Sequence, residues 1–304
     1  MRVKRASKYG FCAGVRVADL KARRFAADGG RGAILGALVH NERVVRELEE
    51  LGLQTVESLD RAQGPTVVFS AHGVPPSARV RARELGLDIL DTTCAFVVDI
   101  HDEVARASSE GCHLVFVGEA GHREVVGYTQ DLDPEVFHIV SNMNDVRDVD
   151  WSVYPKIKVI YQTTLNADDF QELVQFIVGQ NPHTARADTI CYATKENQDA
   201  VREMAADPEV DLVLVIGGKD SANTRHLWEI ASRSKPAYLI QGVEDILLEW
   251  LEHVTCVGLT AGASTPDSAI DEVEAFLESL RRESSEGATR LRPLGFAVAS
   301  PRRG

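Results

Sequence analysis

The sequence lacks the features that identify several common classes of protein. No apolar run approaches the ~20 residues that a membrane-spanning helix requires. Neither a GxxxxGKS/T motif nor a strand-GxGxxG-helix arrangement is present, so the chain has no P-loop and no dinucleotide-binding fingerprint. Its five cysteines include no CxxC pair, which disfavours both a standard zinc knuckle and a disulfide framework.

Positive charge is also scarce, since the 304-residue chain carries a formal net charge of −13 at pH 7. Such a charge repels a phosphate backbone and argues against general nucleic-acid binding, although a local pocket can still attract a small anion. The basic N-terminus, MRVKRASKYGFCAGV, lacks the continuous apolar stretch of a secretory signal. We therefore expect a cytoplasmic protein with no nucleic-acid and no membrane partner.

Short apolar runs alternate with helical patterns along the chain. The runs are continuous rather than alternating, which is typical of strands buried on both faces of a parallel sheet. The predicted strands are 33–39, 66–70, 113–118, 136–140, 156–162, 210–218, 236–240 and 254–260. Asn41 is predicted to cap a helix that ends before Gly52. The pattern predicts an α/β protein of βαβ units.

Three cysteines recur at similar intervals. Cys94 and Cys191 each end an Asp-Thr-x-Cys motif and are 97 residues apart, while Cys12, in GFCAGV, precedes Cys94 by 82 residues. This spacing predicts three similar α/β domains followed by a tail. The predicted segments are 1–94, 95–190, 191–282 and the C-terminal tail 283–304.

Three thiolates that converge from three units can hold an iron–sulfur cluster and leave one iron without a protein ligand. A zinc ion bound by three cysteines and a water fits the same count, so ligand number alone leaves both open. The other two cysteines, Cys112 and Cys256, adjoin predicted strands and are expected to pack as small apolar side chains.

Polar or small residues directly follow six of the predicted strands. Ligands of parallel sheets bind beyond the carboxyl ends of the strands, so these residues are expected to form one composite site. Its polar members are His40, His72, His122, Glu124, Thr163, Thr164, Ser221, Asn223 and Ser264. Their donors suit phosphate oxygens, and without a nucleotide motif the anion should belong to a small substrate. Glu124 is suited to donate a proton.

Nine motifs from residue 10 to 267 carry a family resemblance. In order they are GFCAGV, LVHNERVV, FSAHGVPP, DTTC, GHREVVG, YQTTLNADD, DTICYATKENQ, IGGKDSANT and LTAGASTPD. Together they resemble the 4-hydroxy-3-methylbut-2-enyl diphosphate reductase (IspH/LytB) family over all but the tail. The resemblance implies a pseudo-threefold trefoil of three α/β domains around a central [4Fe-4S] cluster. It also implies that Cys12, Cys94 and Cys191 are the ligands and that one iron is open.

The same resemblance implies roles for the polar residues. His40, His72 and His122 would contact the diphosphate, and Ser221, Asn223 and Ser264 would complete that site. Thr163 and Thr164 would face the substrate, with Glu124, Thr163 and His122 as the catalytic group. The implied reaction removes an allylic hydroxyl as water and yields isopentenyl and dimethylallyl diphosphate. A ferredoxin or flavodoxin is the implied electron donor, because no flavin or nicotinamide motif is present.

Five positions depart from the usual family pattern. Ala95 and Arg123 stand where proline is usual, and Val126 stands where glutamate is usual. Tyr128 and Ala222 stand at positions that are usually threonine and serine. Loss of one serine at a phosphate costs about 1 kcal/mol, which weakens binding without abolishing it. These departures raise the alternative of a paralogous dehydroxylase that acts on another substrate.

Two further alternatives remain from the residues alone. One is a non-enzymatic iron–sulfur protein, which leaves Glu124 and the donor-rich loops unexplained. The other is a zinc hydrolase that uses the same three cysteines, and the presence of iron and acid-labile sulfide without zinc would exclude it.

Overall fold

The computed structural model describes the backbone of residues 1–290 and the side chains of residues 1–280. Within that range, twelve strands form three separate four-stranded sheets, with orders β3-β2-β4-β5, β7-β6-β8-β9 and β1-β12-β10-β11. The strands are β1 Arg2–Arg5, β2 Gly32–Leu35, β3 Leu53–Val56, β4 Thr66–Phe69, β5 Asp88–Asp91, β6 His113–Val117, β7 Phe137–Val140, β8 Ile157–Tyr161, β9 Thr184–Arg186, β10 Leu212–Ile216, β11 Ala237–Ile240 and β12 Cys256–Ala261. Their pairings are parallel, so the predicted α/β class is confirmed.

Helices follow most of the strands. They are α1 Ala13–Ala27, α2 Glu42–Glu50, α3 Pro76–Glu84, α4 Ala95–Ser109, α5 Arg123–Thr129, α6 Asn144–Arg147, α7 Gln171–Gln180, α8 Tyr192–Ala206, α9 Ala222–Ser232 and α10 Asp267–Arg290. Short 3-10 segments lie at Leu59–Arg61, Pro134–Val136, Trp151–Val153, Ala167–Phe170, Val243–Asp245 and Leu248–Leu251. None of the helices within residues 1–290 is long and apolar enough to cross a membrane.

The predicted strands match the central strands of the three sheets and two of their edges. The central strands β6, β10 and β12 are buried along their whole length, as the continuous apolar runs indicate. The strands that the pattern missed are β1, β3, β5 and β9, and each lies at the edge of its sheet. Edge strands are short and half exposed, so their sequences lack the apolar run that marks a buried strand.

The predicted cap of α2 is confirmed in detail. The Asn41 side-chain oxygen accepts hydrogen bonds from the backbone N–H groups of Arg43 and Val44, at 3.1 and 3.2 Å. Gly52 follows the helix with φ of +90°, a conformation that glycine adopts without strain. This cap fixes the loop that carries His40 at the carboxyl end of the first sheet.

The strand pairing refines the predicted division of the chain. Strand β1 lies in the predicted segment 1–94, yet it pairs with β12 in the third sheet. The exact domain boundaries stay a prediction. Helix α10 runs through residues 283–290, the start of the predicted tail, and residues 291–304 of that tail lie outside the described residues.

Candidate functional site

A cavity lies where the carboxyl ends of strands from all three sheets meet. Every predicted site residue lines it: Cys12, His40, His72, Cys94, His122, Glu124, Thr163, Thr164, Cys191, Ser221, Asn223 and Ser264. The predicted convergence of the strand ends on one site is therefore what the fold produces.

The three cysteines occupy equivalent positions, because each is the N-cap of a 15-residue helix. Cys12 precedes α1, Cys94 precedes α4 and Cys191 precedes α8, so the positive ends of three helix dipoles surround the thiols. The Cys12 Sγ also accepts a hydrogen bond from the Val15 N–H, with a donor-to-sulfur distance of 3.5 Å. Helix N-termini stabilise thiolates and the negative charge of anything the thiolates bind.

Burial raises the pKa of the Cys12 and Cys191 thiols, and the nearby thiols of this trio add to the rise. Burying three thiolates in one cavity therefore costs free energy unless a positive charge compensates for theirs. Among residues 1–280, no three His, Cys, Asp or Glu side chains group as the ligands of a single metal ion.

Gly14 leaves the space that the Cys94 sulfur occupies. A Cβ placed on Gly14 would lie 2.4 Å from the Cys94 Sγ, far inside van der Waals contact. We expect Gly14→Ala to push Cys94 aside and to lower the iron bound per chain, since changing a group that orients a metal ligand typically costs about 10–100-fold in metal affinity. Iron analysis after reconstitution measures the effect.

Gly179→Ala is the matched control for this prediction. Gly179 also lies in a helix, and its added Cβ would meet no atom within 4 Å. Iron binding by Gly14→Ala equal to that of Gly179→Ala would contradict the prediction that Cys94 is a cluster ligand.

Three histidines line the same cavity as the cysteines. The ring centroid of His40 lies 4.3 Å from that of His72 and 5.4 Å from that of His122. The Nε2 atoms of His40 and His72 are buried without a hydrogen-bond partner. Burial, with His72 and His122, lowers the pKa of His40 far below its usual value, so its ring is neutral. Unpartnered buried polar atoms on a cavity wall are expected to receive a ligand.

The third sheet contributes the N-terminus of helix α9 to the cavity. The Ser221 hydroxyl caps α9 by accepting a hydrogen bond from the Thr224 N–H at 3.3 Å, and Asn223 follows within the first turn. Both polar atoms of the Asn223 amide are buried without a partner. The Ser264 hydroxyl donates to the His40 carbonyl oxygen at 2.9 Å, which links the third sheet to the histidines. Phosphate oxygens suit such a helix N-terminus.

Asn223→Ala is expected to weaken binding of inorganic diphosphate about tenfold or more, because a hydrogen bond to a charged group contributes about 1.5–3 kcal/mol. Its amide has no partner in the ligand-free protein, so the free energy of unfolding should not fall. Titration calorimetry and denaturant unfolding measure the two effects.

Asn181→Ala is the matched control for Asn223→Ala, and we expect it to change stability and not diphosphate binding. The Asn181 amide donates to the carbonyl oxygens of Trp151 and Tyr154, at 2.9 and 2.7 Å. Its loss should lower the free energy of unfolding by about 1–3 kcal/mol and leave diphosphate binding unchanged. A less stable Asn223→Ala with unaltered binding would contradict the assignment of Asn223 to the ligand.

Glu124 is held at the centre of the site. It is 3% exposed and lies at the start of α5. Its two carboxylate oxygens accept hydrogen bonds from the Thr163 hydroxyl at 2.7 Å and the Thr163 N–H at 3.0 Å. The His72 Nδ1 lies 3.9 Å from the Glu124 Oε1. Burial acts to raise the pKa of Glu124, but His72 and His122 outweigh it and hold that pKa low, so the ligand-free carboxylate is ionised.

Apart from Ala222, the remaining residues of the lining were not predicted to belong to the site, although most lie within or beside the motifs. They are Val15, Ala71, Phe96, Val97, Ala193, Thr194 and Ala263. Most of these residues lie two or three positions after a motif cysteine, in the first turn of α1, α4 or α8. Helix periodicity applied from each cysteine would have found them.

Most departures from the family pattern lie away from the cavity. The Arg123 guanidinium pairs with Glu57 at 3.2 Å, and Val126 is partly exposed on α5. Tyr128 is buried beside His101 and does not line the cavity. Ala222 does line it, which confines the altered contact with a ligand to one lost hydroxyl.

A family model described as LytB protein matches residues 3–278. The chain is 36% identical over 312 residues to a 4-hydroxy-3-methylbut-2-enyl diphosphate reductase from Ectopseudomonas mendocina (strain ymp), covering 99% of this chain and 98% of that relative. Among solved structures, it resembles the E-1-hydroxy-2-methyl-but-2-enyl-4-diphosphate reductase from Plasmodium falciparum, with TM-score 0.84, 30% identity, and coverage of 92% of this chain and 87% of that chain.

A second solved structure also resembles this chain. It is described as (E)-4-hydroxy-3-methyl-but-2-enyl diphosphate reductase, the terminal enzyme of the non-mevalonate pathway, and it matches with TM-score 0.66 and 32% identity. The match covers 92% of this chain and all of that chain. The three-sheet α/β fold is thus shared with solved reductases, and the chain belongs to the LytB protein family.

Proposed function

We propose that this chain is an iron–sulfur reductase that removes the allylic hydroxyl of 4-hydroxy-3-methylbut-2-enyl diphosphate. The products are isopentenyl and dimethylallyl diphosphate, so the enzyme serves the methylerythritol phosphate route to isoprenoids. One observation carries the proposal: a single cavity unites three helix-capping thiols, unpartnered imidazole and amide groups, and a buried carboxylate. The names of the family relatives agree with it.

The three thiols fit a [4Fe-4S] cluster with Cys12, Cys94 and Cys191 as its ligands. Each thiol comes from a separate helix start, so each can take one iron, and the three helix ends favour the negative charge of the thiolate-bound cluster. When bound, such a cluster supplies electrons singly and offers one iron without a protein ligand. Gly14 keeps the space beside Cys94 free for this arrangement.

The polar wall fits a diphosphate. His40 and His72 present buried Nε2 atoms without partners, and Asn223 presents an amide without partners. His122, Ser221 and Ser264 line the same wall and complete the contacts. Donors prearranged in this way bind phosphate oxygens without first losing internal hydrogen bonds.

Glu124 is proposed to supply the proton that leaves with the hydroxyl as water. Its carboxylate is ionised in the ligand-free protein, so it must first take up a proton. A diphosphate bound at His40 and His72 places negative charge beside Glu124, which raises the pKa of that carboxyl. Thr163 then orients the acid through its hydroxyl, which lies 2.7 Å from the Glu124 Oε1. Thr164 and His122 line the cavity beside this pair.

The two electrons must come from a separate protein, and we propose a ferredoxin or flavodoxin in the cytoplasm. The paralogous dehydroxylase is less well supported. Arg123, Val126 and Tyr128, which motivated it, lie outside the cavity lining, and Ala222 removes one hydroxyl. Two relatives that match 99% and 88% of this chain carry the reductase name.

The test is anaerobic turnover of 4-hydroxy-3-methylbut-2-enyl diphosphate by reconstituted protein with a chemical reductant. We expect the two five-carbon diphosphates as products, and iron with acid-labile sulfide in the protein. An intact cluster that yields neither product would overturn the proposed substrate. Zinc in place of iron would overturn the proposal that the three cysteines hold an iron–sulfur cluster.

A further inference from the structure

Two buried polar groups that do not line the cavity have no hydrogen-bond partner. The Tyr128 hydroxyl and the His101 Nε2 are both buried without a hydrogen bond, and Tyr128 is 4% exposed. Their rings meet edge to face, with centroids 4.8 Å apart. Buried polar atoms normally have a partner, so an adjacent unpartnered pair requires an explanation.

The pair stands next to the elements that hold the proposed acid. Tyr128 follows Glu124 by four residues on α5, which places both side chains on the same face of that helix. His101 lies on α4 and packs against the loop that carries His72. A Cβ on Gly73 would stand 3.0 Å from the His101 Nε2, and a Cβ on Gly127 would stand 3.8 Å from the same atom. The imidazole thus fills the contact between α5 and this loop.

Glu124 has little direct contact with solvent, since it is 3% exposed. His101 is only partly buried as a residue although its Nε2 is buried, so part of the residue is in contact with solvent. Ordered water commonly satisfies buried polar groups that lack protein partners. A water at the Tyr128 hydroxyl and the His101 Nε2 would connect the surface to the helix face that carries Glu124.

We propose that His101 and Tyr128, with such water, form the route by which protons reach Glu124 from solvent. This inference rests on the proposed function, in which loss of the hydroxyl as water uses two electrons from the protein donor and two protons. Glu124 receives a proton that the Tyr128 hydroxyl gives up. The hydroxyl then regains a proton from the His101 Nε2–H, and the other ring nitrogen of His101 takes a proton from solvent. No carbon bond changes and no electron moves in this step.

The charged groups around His101 are compatible with a ring that shuttles protons without holding them. Arg79 on α3, Asp91 at the end of β5, Asp102 on α4 and Glu124 all act on it. Arg79 and Asp91 pair with each other at 2.5 Å and act on the pKa of His101 in opposite directions, with Arg79 the stronger of the two. Burial lowers the pKa of His101, which keeps the resting ring neutral.

The test follows proton uptake by reconstituted protein after inorganic diphosphate is added, using a pH indicator in a stopped-flow instrument. Tyr128→Phe and His101→Gln are compared with the unmodified protein and with His183→Gln, an exposed control. We expect the unmodified protein and the control to take up a proton quickly. In the two variants the same uptake should be about tenfold slower or more, a smaller effect than the ~10²–10⁴-fold that a positioned general acid or base contributes.

The thermal midpoint of Tyr128→Phe should change little, because the lost hydroxyl makes no hydrogen bond to another protein group. Uptake that is absent, or equally fast in all four proteins, would overturn the route. Because this measurement needs no turnover, failure of the protein to convert 4-hydroxy-3-methylbut-2-enyl diphosphate would refute the proposed function alone and leave the route standing.

Discussion

Glu124→Gln is expected to lower kcat by about 10²- to 10⁴-fold, the usual contribution of a positioned general acid, with KM little changed. Glutamine has the same shape but no carboxyl proton to give. It can still accept the hydrogen bond from the Thr163 N–H and donate to the Thr163 hydroxyl, so the local fold should persist. Anaerobic steady-state kinetics with the chemical reductant measure both constants.

The matched control for this prediction is Glu135→Gln, a glutamate exposed in the loop before β7. It should retain the kinetic constants of the unmodified protein. A Glu124→Gln protein with nearly full kcat would show that the proton comes from elsewhere. A large rise in KM with kcat unchanged would instead make Glu124 a binding group.

Cys191→Ala should lose the cluster and, with it, all measurable turnover. Loss of an outer-shell partner already costs a metal site about 10–100-fold, and a direct ligand should cost more. Cys12→Ala and Cys94→Ala should behave alike, because the three cysteines hold equivalent positions at the starts of α1, α4 and α8. Iron, acid-labile sulfide and visible absorbance after reconstitution report the loss without reference to activity.

Cys112→Ala is the control for the cysteine variants. Cys112 packs beside the core of the second sheet and does not line the cavity. Its replacement should leave iron binding intact. Full iron binding by any one of the three cavity variants would remove that cysteine from the ligand set.

The interior of the fold was predictable because its signal is strong. Strands such as β6 and β10 carry five consecutive buried residues, and only a strand or a core helix accommodates such a run. The half-exposed edge strands β1 and β9 carry no such run. The pairing of β1 with β12 joins residues more than 250 positions apart, and nothing local in the sequence encodes that contact.

The polar site was predictable for a related reason. Parallel sheets bring the ends of their strands to one edge, so His40, His72 and Thr163 could be grouped before their distances were known. The environment of Tyr128 could not be found in the same way. Tyr128 shares a face of α5 with Glu124, yet it packs against His101 and does not line the cavity, because helix packing decides which neighbour a side chain meets.

The proposed reaction requires that one cavity hold both a cluster with an open iron and the substrate. The most direct measurement is the Mössbauer spectrum of protein reconstituted with isotopically enriched iron, before and after 4-hydroxy-3-methylbut-2-enyl diphosphate is added. We predict that about a quarter of the iron signal, that of the iron without a cysteine, shifts on addition while the rest stays. A cluster whose spectrum does not respond to the diphosphate would contradict the account.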